Sequence, residues 1–552
     1  MSKVTFAIQG ITVRVDAGAS LLDAAIQAGI LVETPCDGAG TCGKCRAKAS
    51  SATGLITGVY VDDLLSDAER AAGWVLACQT KVIGDVTVEV ETSVDDGLKI
   101  ISDGHELAVK IRPWIRKVFQ TELLTTQVYG GAKLLATEPS DTTQFGYGLS
   151  VDIGTTTLVT SLIDLANGRE LASASSLNPQ ARQAQDVLSR IKLGSQPDGL
   201  RQLRNDLMTE INRQIGEATA AAGVIPRHIY EAVFSGNTTM LHLATGTNPA
   251  SLGKYPYTPS LSGGCHLPAE IVGLAISQHG LVYLPPIMSA YVGADITSGI
   301  LATALAHEGG VVLFVDIGTN GEMVLAVNGT LVATSTAAGP AFEGMNIACG
   351  MRANRGAIER VSLTEGRIDV QTIGEGEPIG LCGSGLLDAV GELAATRGVD
   401  ANGRFQFKDE SWPWSKQWDV LDGKPIFRIA GPVYLSQKDI RQVQLAKAAV
   451  RAGIELLLKA NDLQASQVDR VLIAGSFGFH LRTESLIHLG LLPPEFENRV
   501  HFVGNTSKSG GRAFLLDHHT RDEMMSVTQG VRVLELANDP AFEKTFLRSI
   551  SF

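Results

Sequence analysis

Three thiols crowd the segment Thr34-Pro35-Cys36-Asp37-Gly38-Ala39-Gly40-Thr41-Cys42-Gly43-Lys44-Cys45, and no other stretch of the 552-residue chain is so restricted in how it can fold. The C-x5-C-x2-C loop is one ligand short of a tetrahedral set, and Cys78, 33 positions beyond Cys45, supplies the fourth. A loop wrapped around a metal must turn tightly and aim backbone N-H groups at sulfur, a task for Gly38, Gly40 and Gly43. Such N-H bonds also help to set a reduction potential. Zinc takes four cysteines too, but usually as two short C-x2-4-C knuckles. Three ligands on one loop and a fourth far away favour a 2Fe-2S cluster on Cys36, Cys42, Cys45 and Cys78.

The flanking residues fit a β-grasp domain over residues 1–92. Val4, Phe6 and Ile8, then Ile11, Val13 and Val15, alternate on either side of Gln9-Gly10, the pattern of a β-hairpin. Ser20 can cap a helix from Leu21 to Ala28, and Gly29 can end it. A second short helix is expected near Asp63 to Ala71, ahead of Trp74-Val75-Leu76-Ala77-Cys78, and Val86 to Val90 closes the sheet. The five-residue spacer departs from the plant-type C-x4-C-x2-C pattern. In this it resembles the adrenodoxin and putidaredoxin branch of the ferredoxins.

A chain this long does not close around one core, so several domains are expected. Its net charge of -12 argues against nucleic acid, whose phosphates need a basic face. The amino terminus lacks a basic region followed by an apolar stretch, and no run of apolar residues is long enough to span a bilayer, so neither a signal peptide nor a membrane segment is expected. Cys265, Cys349 and Cys382 remain after the cluster ligands are assigned. An odd remainder without an export signal points to a reducing cytoplasm and to packing roles for these three thiols. Residues 93–146 read as a linker containing a small folded element, with a helix or strand around Leu107 to Phe119.

From Tyr147 the pattern becomes α/β and repeats itself. Leu149-Ser150-Val151-Asp152-Ile153-Gly154-Thr155-Thr156-Thr157 is echoed by Leu313-Phe314-Val315-Asp316-Ile317-Gly318-Thr319-Asn320-Gly321. Each copy continues into a second apolar strand and then a turn containing Asn-Gly, at Asn167-Gly168 and at Asn328-Gly329. Matching contexts of this kind indicate a duplicated domain, with lobes over 147–308 and 309–552. At each turn the glycine lets backbone N-H groups approach an anion, the hydroxyls or amide add donors, and the aspartate offers a hard oxygen to Mg2+ through water. Two such hairpins face to face would grip the β- and γ-phosphates of a nucleotide. Neither the Walker A pattern nor G-x-G-x-x-G occurs in a phosphate-binding context.

This pairing resembles the superfamily of actin, sugar kinases, acetate kinase and a class of ATP-driven chaperones, and the resemblance implies ribonuclease-H-like lobes. Those proteins add a glycine-rich turn against the adenosine, matched here by Val471-Leu472-Ile473-Ala474-Gly475-Ser476-Phe477-Gly478. A ferredoxin-like domain ahead of such an ATPase resembles the reductive activators of corrinoid proteins. Gly236-Asn237-Thr238-Thr239-Met240, Val292-Gly293-Ala294-Asp295, Ala338-Gly339-Pro340-Ala341-Phe342-Glu343-Gly344, Cys349-Gly350-Met351-Arg352-Ala353, Cys382-Gly383-Ser384-Gly385 and Ser436-Gln437-Lys438-Asp439-Ile440-Arg441 carry the likeness further. The short linker leaves little room for the extra middle domain that some relatives carry.

The resemblance implies an ATP-dependent activator that returns Co(II) of a corrinoid methyltransferase protein to Co(I), passing one electron through its 2Fe-2S cluster. It also implies an upstream low-potential electron donor and a homodimer, while the charge and the lack of a long apolar run argue for no nucleic-acid or membrane partner. The expected phosphate and Mg2+ ligands are Asp152, Gly154, Thr155, Thr156 and Thr157 with Asp316, Gly318, Thr319, Asn320 and Gly321, joined by Gly339. Gly475, Ser476 and Gly478 are expected at the adenosine, and Glu322 and Asp295 are candidates for positioning the attacking water. The alternatives are a redox-sensing ATP-binding regulator and a small-molecule kinase with a ferredoxin appendage. Gln437 to Leu458 reads as a long helix with a buried stripe of Ile440, Val443, Ala446 or Lys447, Val450, Ile454 and Leu457.

Overall fold

The computed structural model describes residues 2–8, 10–30, 32, 34, 38–40, 42–50, 54–58, 64–90, 109–475, 481–536 and 539–552. Cys36, Ser476 and Gly478 therefore lie outside the described residues.

Strand Ser2–Phe6 pairs antiparallel with Ile11–Val15 and parallel with Val86–Val90, at the heart of a five-stranded sheet completed by Arg46–Ala49 and Trp74–Leu76. Val4 and Phe6 point into the core and are fully buried, whereas Ile8 lies past the strand end and is exposed. Ser20 caps the Leu21–Gln27 helix in a reciprocal box with Asp23, and Ser66 does the same with Glu69 for the Asp67–Ala71 helix. Together these elements make the β-grasp outline.

Within the span read as a linker, Ile115–Gln120, Thr125–Gly130 and Lys133–Pro139 form a three-stranded antiparallel sheet. Ile115 and Val128 are buried in the same core as Tyr230 and Val233. Lys117 pairs with Glu138 at 2.7 Å, and Tyr230 Oη donates to the same carboxylate at 2.9 Å. The sheet is thus docked against the first lobe.

The duplication is written in strand order. The first lobe runs Glu170–Leu177, Thr157–Asp164, Tyr147–Ile153, Ile229–Gly236, Leu281–Leu284, a 3-2-1-4-5 arrangement in which the fourth strand lies parallel to the first. The second lobe repeats it with Thr330–Thr336, Gly321–Val327, Val311–Ile317, Arg470–Ala474 and Val500–Gly504. In both, the central hairpin ends at the Asp-Ile-Gly-Thr motif. The lobes share a core in which Phe314 and Val312 meet Ile296, Ile300 and Phe514. Helices Ala294–Ala302 and Thr506–Leu516 cross there so closely that a Cβ on Gly510 would sit 2.1 Å from the Ser298 carbonyl oxygen.

The long helix spans Gln437–Lys459, is capped by Ser436 with Asp439, and buries the expected stripe, Lys447 included. Cys382 is buried and Cys349 half-buried, but Cys265 is exposed. It opens the edge strand Cys265–Pro268, which has only one neighbour in the sheet, so the expectation of packing fails at this thiol. None of the helices among the described residues is long and apolar enough to cross a membrane.

Because backbone blocks any retreat from the helix crossing, Gly510→Ala should destabilise the protein by about 2–3 kcal/mol. Thermal unfolding followed by circular dichroism checks this.

Candidate functional site

The two Asp-Ile-Gly-Thr turns face each other across a cleft open to solvent. Asp152, Gly154, Thr155, Thr156 and Thr157 line one wall, and Asp316, Gly318, Thr319, Asn320 and Glu322 line the other. Asp295, Gly475, Asn237, Glu343 and residues 505–507 complete it. Of the glycines expected at the ligand, Gly321 and Gly339 are not lining residues. Gly321 starts the second strand of its hairpin, and Gly339 N-H donates to the Thr319 carbonyl at 2.9 Å, bracing the turn from behind.

Each turn is backed by a glycine for the same reason. Ile153 pairs with Gly236 in the parallel register, and a Cβ on Gly236 would lie 2.7 Å from the Ile153 carbonyl oxygen. In the other lobe Gly475 follows Ala474, the partner of Asp316, and its Cβ would lie 2.5 Å from the Ile317 carbonyl oxygen. Gly475 also has φ of +110°, a region that side chains avoid. Ser235-Gly236 of the first lobe is therefore the counterpart of Ala474-Gly475 in the second.

Three helix amino termini converge on the cleft. Asn237 caps the Thr238–Thr245 helix and donates to Thr155 Oγ1 at 3.0 Å. Asp295 lies in the first turn of the Ala294–Ala302 helix, and Asn505 caps Thr506–Leu516. Free N-H groups and the positive end of the helix dipole suit an anion. Sequence reasoning assigned no role to Asn237, Asn505 or Ser507. The only local signal was an Asn or Ser ahead of an apolar run, which every capped helix gives.

The carboxylates open onto the cleft but are otherwise enclosed by protein. Burial raises Asp152 above the usual aspartate range, opposed by Asn505 Nδ2 and Ser507 Oγ, each donating to it at 2.8 Å. Burial pushes Asp295 up to about 7, with the Asp152 charge adding to the rise. Asp316 is likewise pushed up to about 7 by burial, then by Asp295 and Asp152. Glu322, directly across the hairpin from Asp316, is raised well above the normal glutamate range by burial and by both neighbouring aspartates. Such mutual repulsion is what a bound cation would relieve. Among the described residues, no three His, Cys, Asp or Glu side chains converge to hold an ion by themselves.

Glu343 was quoted in a motif but given no function. Its carboxylate accepts from Thr156 Oγ1 at 2.5 Å and from Thr319 Oγ1, so it bridges one hydroxyl from each turn.

Three predicted cluster ligands are placed. Cys45 and Cys78 bring their sulfurs to 3.2 Å, Cys42 lies on the same loop, and none of the three is in a disulfide. Gly38, Gly40 and Gly43 all have positive φ, as a tight wrap requires. Gln79 Nε2 ties the loop down by donating to the Gly38 carbonyl at 2.5 Å. A loop of this shape with one of its thiols in contact with Cys78 fits the expected cluster.

The comparisons agree with this geometry. A model described as the 2Fe-2S iron-sulfur cluster binding domain matches residues 4–82. The RACo middle region matches 147–308, and the C-terminal domain of RACo, the ASKHA domain, matches 310–552. The corrinoid activation enzyme RamQ of Eubacterium limosum is 33% identical over 418 residues, covering 74% of this chain and 70% of the relative. The chain belongs to the family of reductive activators of corrinoid proteins. A solved structure of a reductive activator for corrinoid, iron-sulfur protein superposes on this activator with a TM-score of 0.74 at 32% identity, over 100% of this chain and 98% of the other. The reductase of a Co(II) methylated amine-specific corrinoid protein from Methanosarcina barkeri is 25% identical over 297 residues, 51% of this chain and 54% of the relative. The segment named as the middle region coincides with the first lobe of the activator.

Folding raises the pKa of Asp316, so the folded state holds the proton more tightly than the unfolded chain. Stability is therefore lost as pH climbs from the unfolded value of 3.8 to about 7. Without ligand, Asp316→Asn should gain stability over wild type across that window, by at most about 1.4 kcal/mol per pH unit, and gain no more above it. Melting temperatures of both proteins between pH 4 and pH 8 test this.

Proposed function

We propose that the protein is an ATP-dependent reductive activator that returns the Co(II) of a corrinoid methyltransferase protein to Co(I). The reading is carried by one observation: a two-hairpin cleft and a cysteine loop occupy one chain, and the cysteine-bearing domain is hydrogen-bonded to both lobes that form the cleft. Cobalt in this scheme is the substrate, taking up one electron from a low-potential donor that is oxidised by one electron. Each ~59 mV of unfavourable potential difference costs a factor of ten for one electron, about 1.4 kcal/mol. Nucleotide chemistry supplies that driving force.

ATP phosphates would accept hydrogen bonds from the turns at Gly154 to Thr157 and Gly318 to Asn320, and from the helix amino termini behind Asn237 and Asn505. Mg2+ sheds water reluctantly, so Asp152 and Asp316 would hold it through water and phosphate. Asn505 and Ser507 keep Asp152 oriented toward the cleft. Glu322 and Asp295 then remain to orient the attacking water, and with the cation present their raised pKa values would fall toward the charged, proton-accepting form. Gly475, with Ser476 and Gly478, would admit the adenosine. When bound by Cys36, Cys42, Cys45 and Cys78, a 2Fe-2S cluster supplies one-electron chemistry.

Because ferredoxin-type clusters lie near ~-400 mV, a larger gap must be closed elsewhere. Closure of the lobes around ATP would alter the face offered to the corrinoid protein and disfavour an axial ligand on its Co(II), raising the cobalt potential. ATP should accordingly shift the visible absorption of Co(II) in the complex before any reduction, and an unchanged spectrum in a stable complex would exclude this route.

The decisive assay is anaerobic. Cluster-loaded protein, ATP, a reductant and a candidate Co(II) corrinoid protein are mixed, and Co(I) is followed by visible absorption. Cys42→Ser should abolish Co(I) formation while nucleotide still binds. Full cobalt turnover in that variant would refute the reading, and a sugar or carboxylate phosphorylated at the expense of ATP would favour a kinase instead.

A further inference from the structure

The cysteine-bearing domain rests on both lobes, and each contact leads back to a phosphate turn. On the second lobe, Lys44, between Cys42 and Cys45, donates its Nζ to the Gly350 carbonyl at 3.1 Å and the Ala348 carbonyl at 3.3 Å. These carbonyls close a short loop that begins at Gly344, immediately after Glu343. The two ends of that loop touch: a Cβ on Gly350 would lie 2.0 Å from the Gly344 carbonyl oxygen, and one on Gly344 would lie 2.6 Å from that of Met351. Ile347 is fully buried, and Ala348 N-H is fixed to Asp439 Oδ1 at 2.8 Å. Movement of Glu343 therefore has no slack to absorb it before it reaches the carbonyls that hold Lys44.

The first lobe has its own arm. Arg190, fully buried, donates to the Thr155 carbonyl at 2.7 Å and to the Ala184 carbonyl at 2.9 Å. The next residue, Gln185, donates to Thr34 Oγ1 at 2.9 Å, two positions before Cys36. The cysteine loop is thus held from both sides by segments anchored at the two phosphate turns.

Glu343 is what ties these arms together at the cleft. Its carboxylate accepts from the Thr156 and Thr319 hydroxyls, donors that a phosphate between the turns would claim. A carboxylate and a phosphate cannot share them, being like charges competing for the same protons. We propose that Glu343 and the terminal phosphate compete for these two hydroxyls, and that ATP, by displacing the carboxylate, loosens the docking of the cysteine loop at Lys44. Glu343 is then a positioning residue acting through the 344–350 loop. The inference rests on the ATP reading of the cleft.

Coupling between two sites is reciprocal, which gives a test far from the nucleotide. If ATP must displace Glu343 and loosen Lys44, weakening the Lys44 contact must tighten ATP. In full-length, cluster-loaded protein, Lys44→Ala should bind a non-hydrolysable ATP analogue at least about five-fold more tightly, whereas Lys44→Arg should bind as wild type does. Glu343→Gln should also bind more tightly, and adding Lys44→Ala to it should bring no further gain. The analogue should speed amide hydrogen exchange at residues 42–50 and 344–351 in wild type, and Glu343→Gln should show the faster exchange without nucleotide. Unchanged analogue affinity in Lys44→Ala, with the cluster absorbance intact, overturns the inference, as does analogue binding that leaves exchange at residues 42–50 unaltered. If wild type fails to bind the analogue, the ATP reading itself falls and takes the inference with it.

Discussion

Two turns from two halves of a duplicated chain present hydroxyls to the same gap, where the Glu343 carboxylate bridges them and further carboxylates crowd the walls. The cleft carries Asp152, Asp295, Asp316 and Glu322, which burial and mutual repulsion push toward the protonated state. Opposed to them are three helix amino termini and the turn donors. Under the proposed function a phosphate would meet the donors while its cation would quench the carboxylates. The glycines behind the turns, the helix crossing at Gly510 and the shared core around Phe314 all serve to bring these opposed charges to one place.

The stability lost in that arrangement is recovered where the lobes are rigid. Buried apolar side chains fill both faces of each central sheet, and the helix carrying Asp295 packs backbone to backbone on the helix capped by Asn505. Strain from like charges is tolerable in a cleft only when the surrounding packing fixes its walls. Family membership then gives this cleft a setting: the same chain carries a ferredoxin-like module, and that module meets the first lobe at Gln185 and the second through Lys44.

Much of the fold could be read from local patterns. Alternating residues marked the hairpin strands, Ser20 and Ser436 marked helix starts, and the echo of Asp-Ile-Gly-Thr revealed the duplication. These signals work because periodicity and capping act over a few residues. Cys265 misled because one residue cannot report whether its strand lies at a sheet edge. The three-stranded sheet at residues 115–139 was only hinted at, since its burial comes from Tyr230 and Val233 far along the chain.

The sequence by itself determined the chemistry available: four cysteines at cluster spacing, two anion turns, and acidic residues placed at strand ends. Only the tertiary structure decided which of these groups meet. Glu343 lies in an unremarkable Phe-Glu-Gly turn, and nothing local distinguishes it until folding lays it between Thr156 and Thr319. Lys44 likewise looks like a solvated loop cation until the second lobe offers it two carbonyls. The reason is physical: hydrogen bonds and charges act over a few ångströms, and the residues they join here stand from 24 to 306 positions apart.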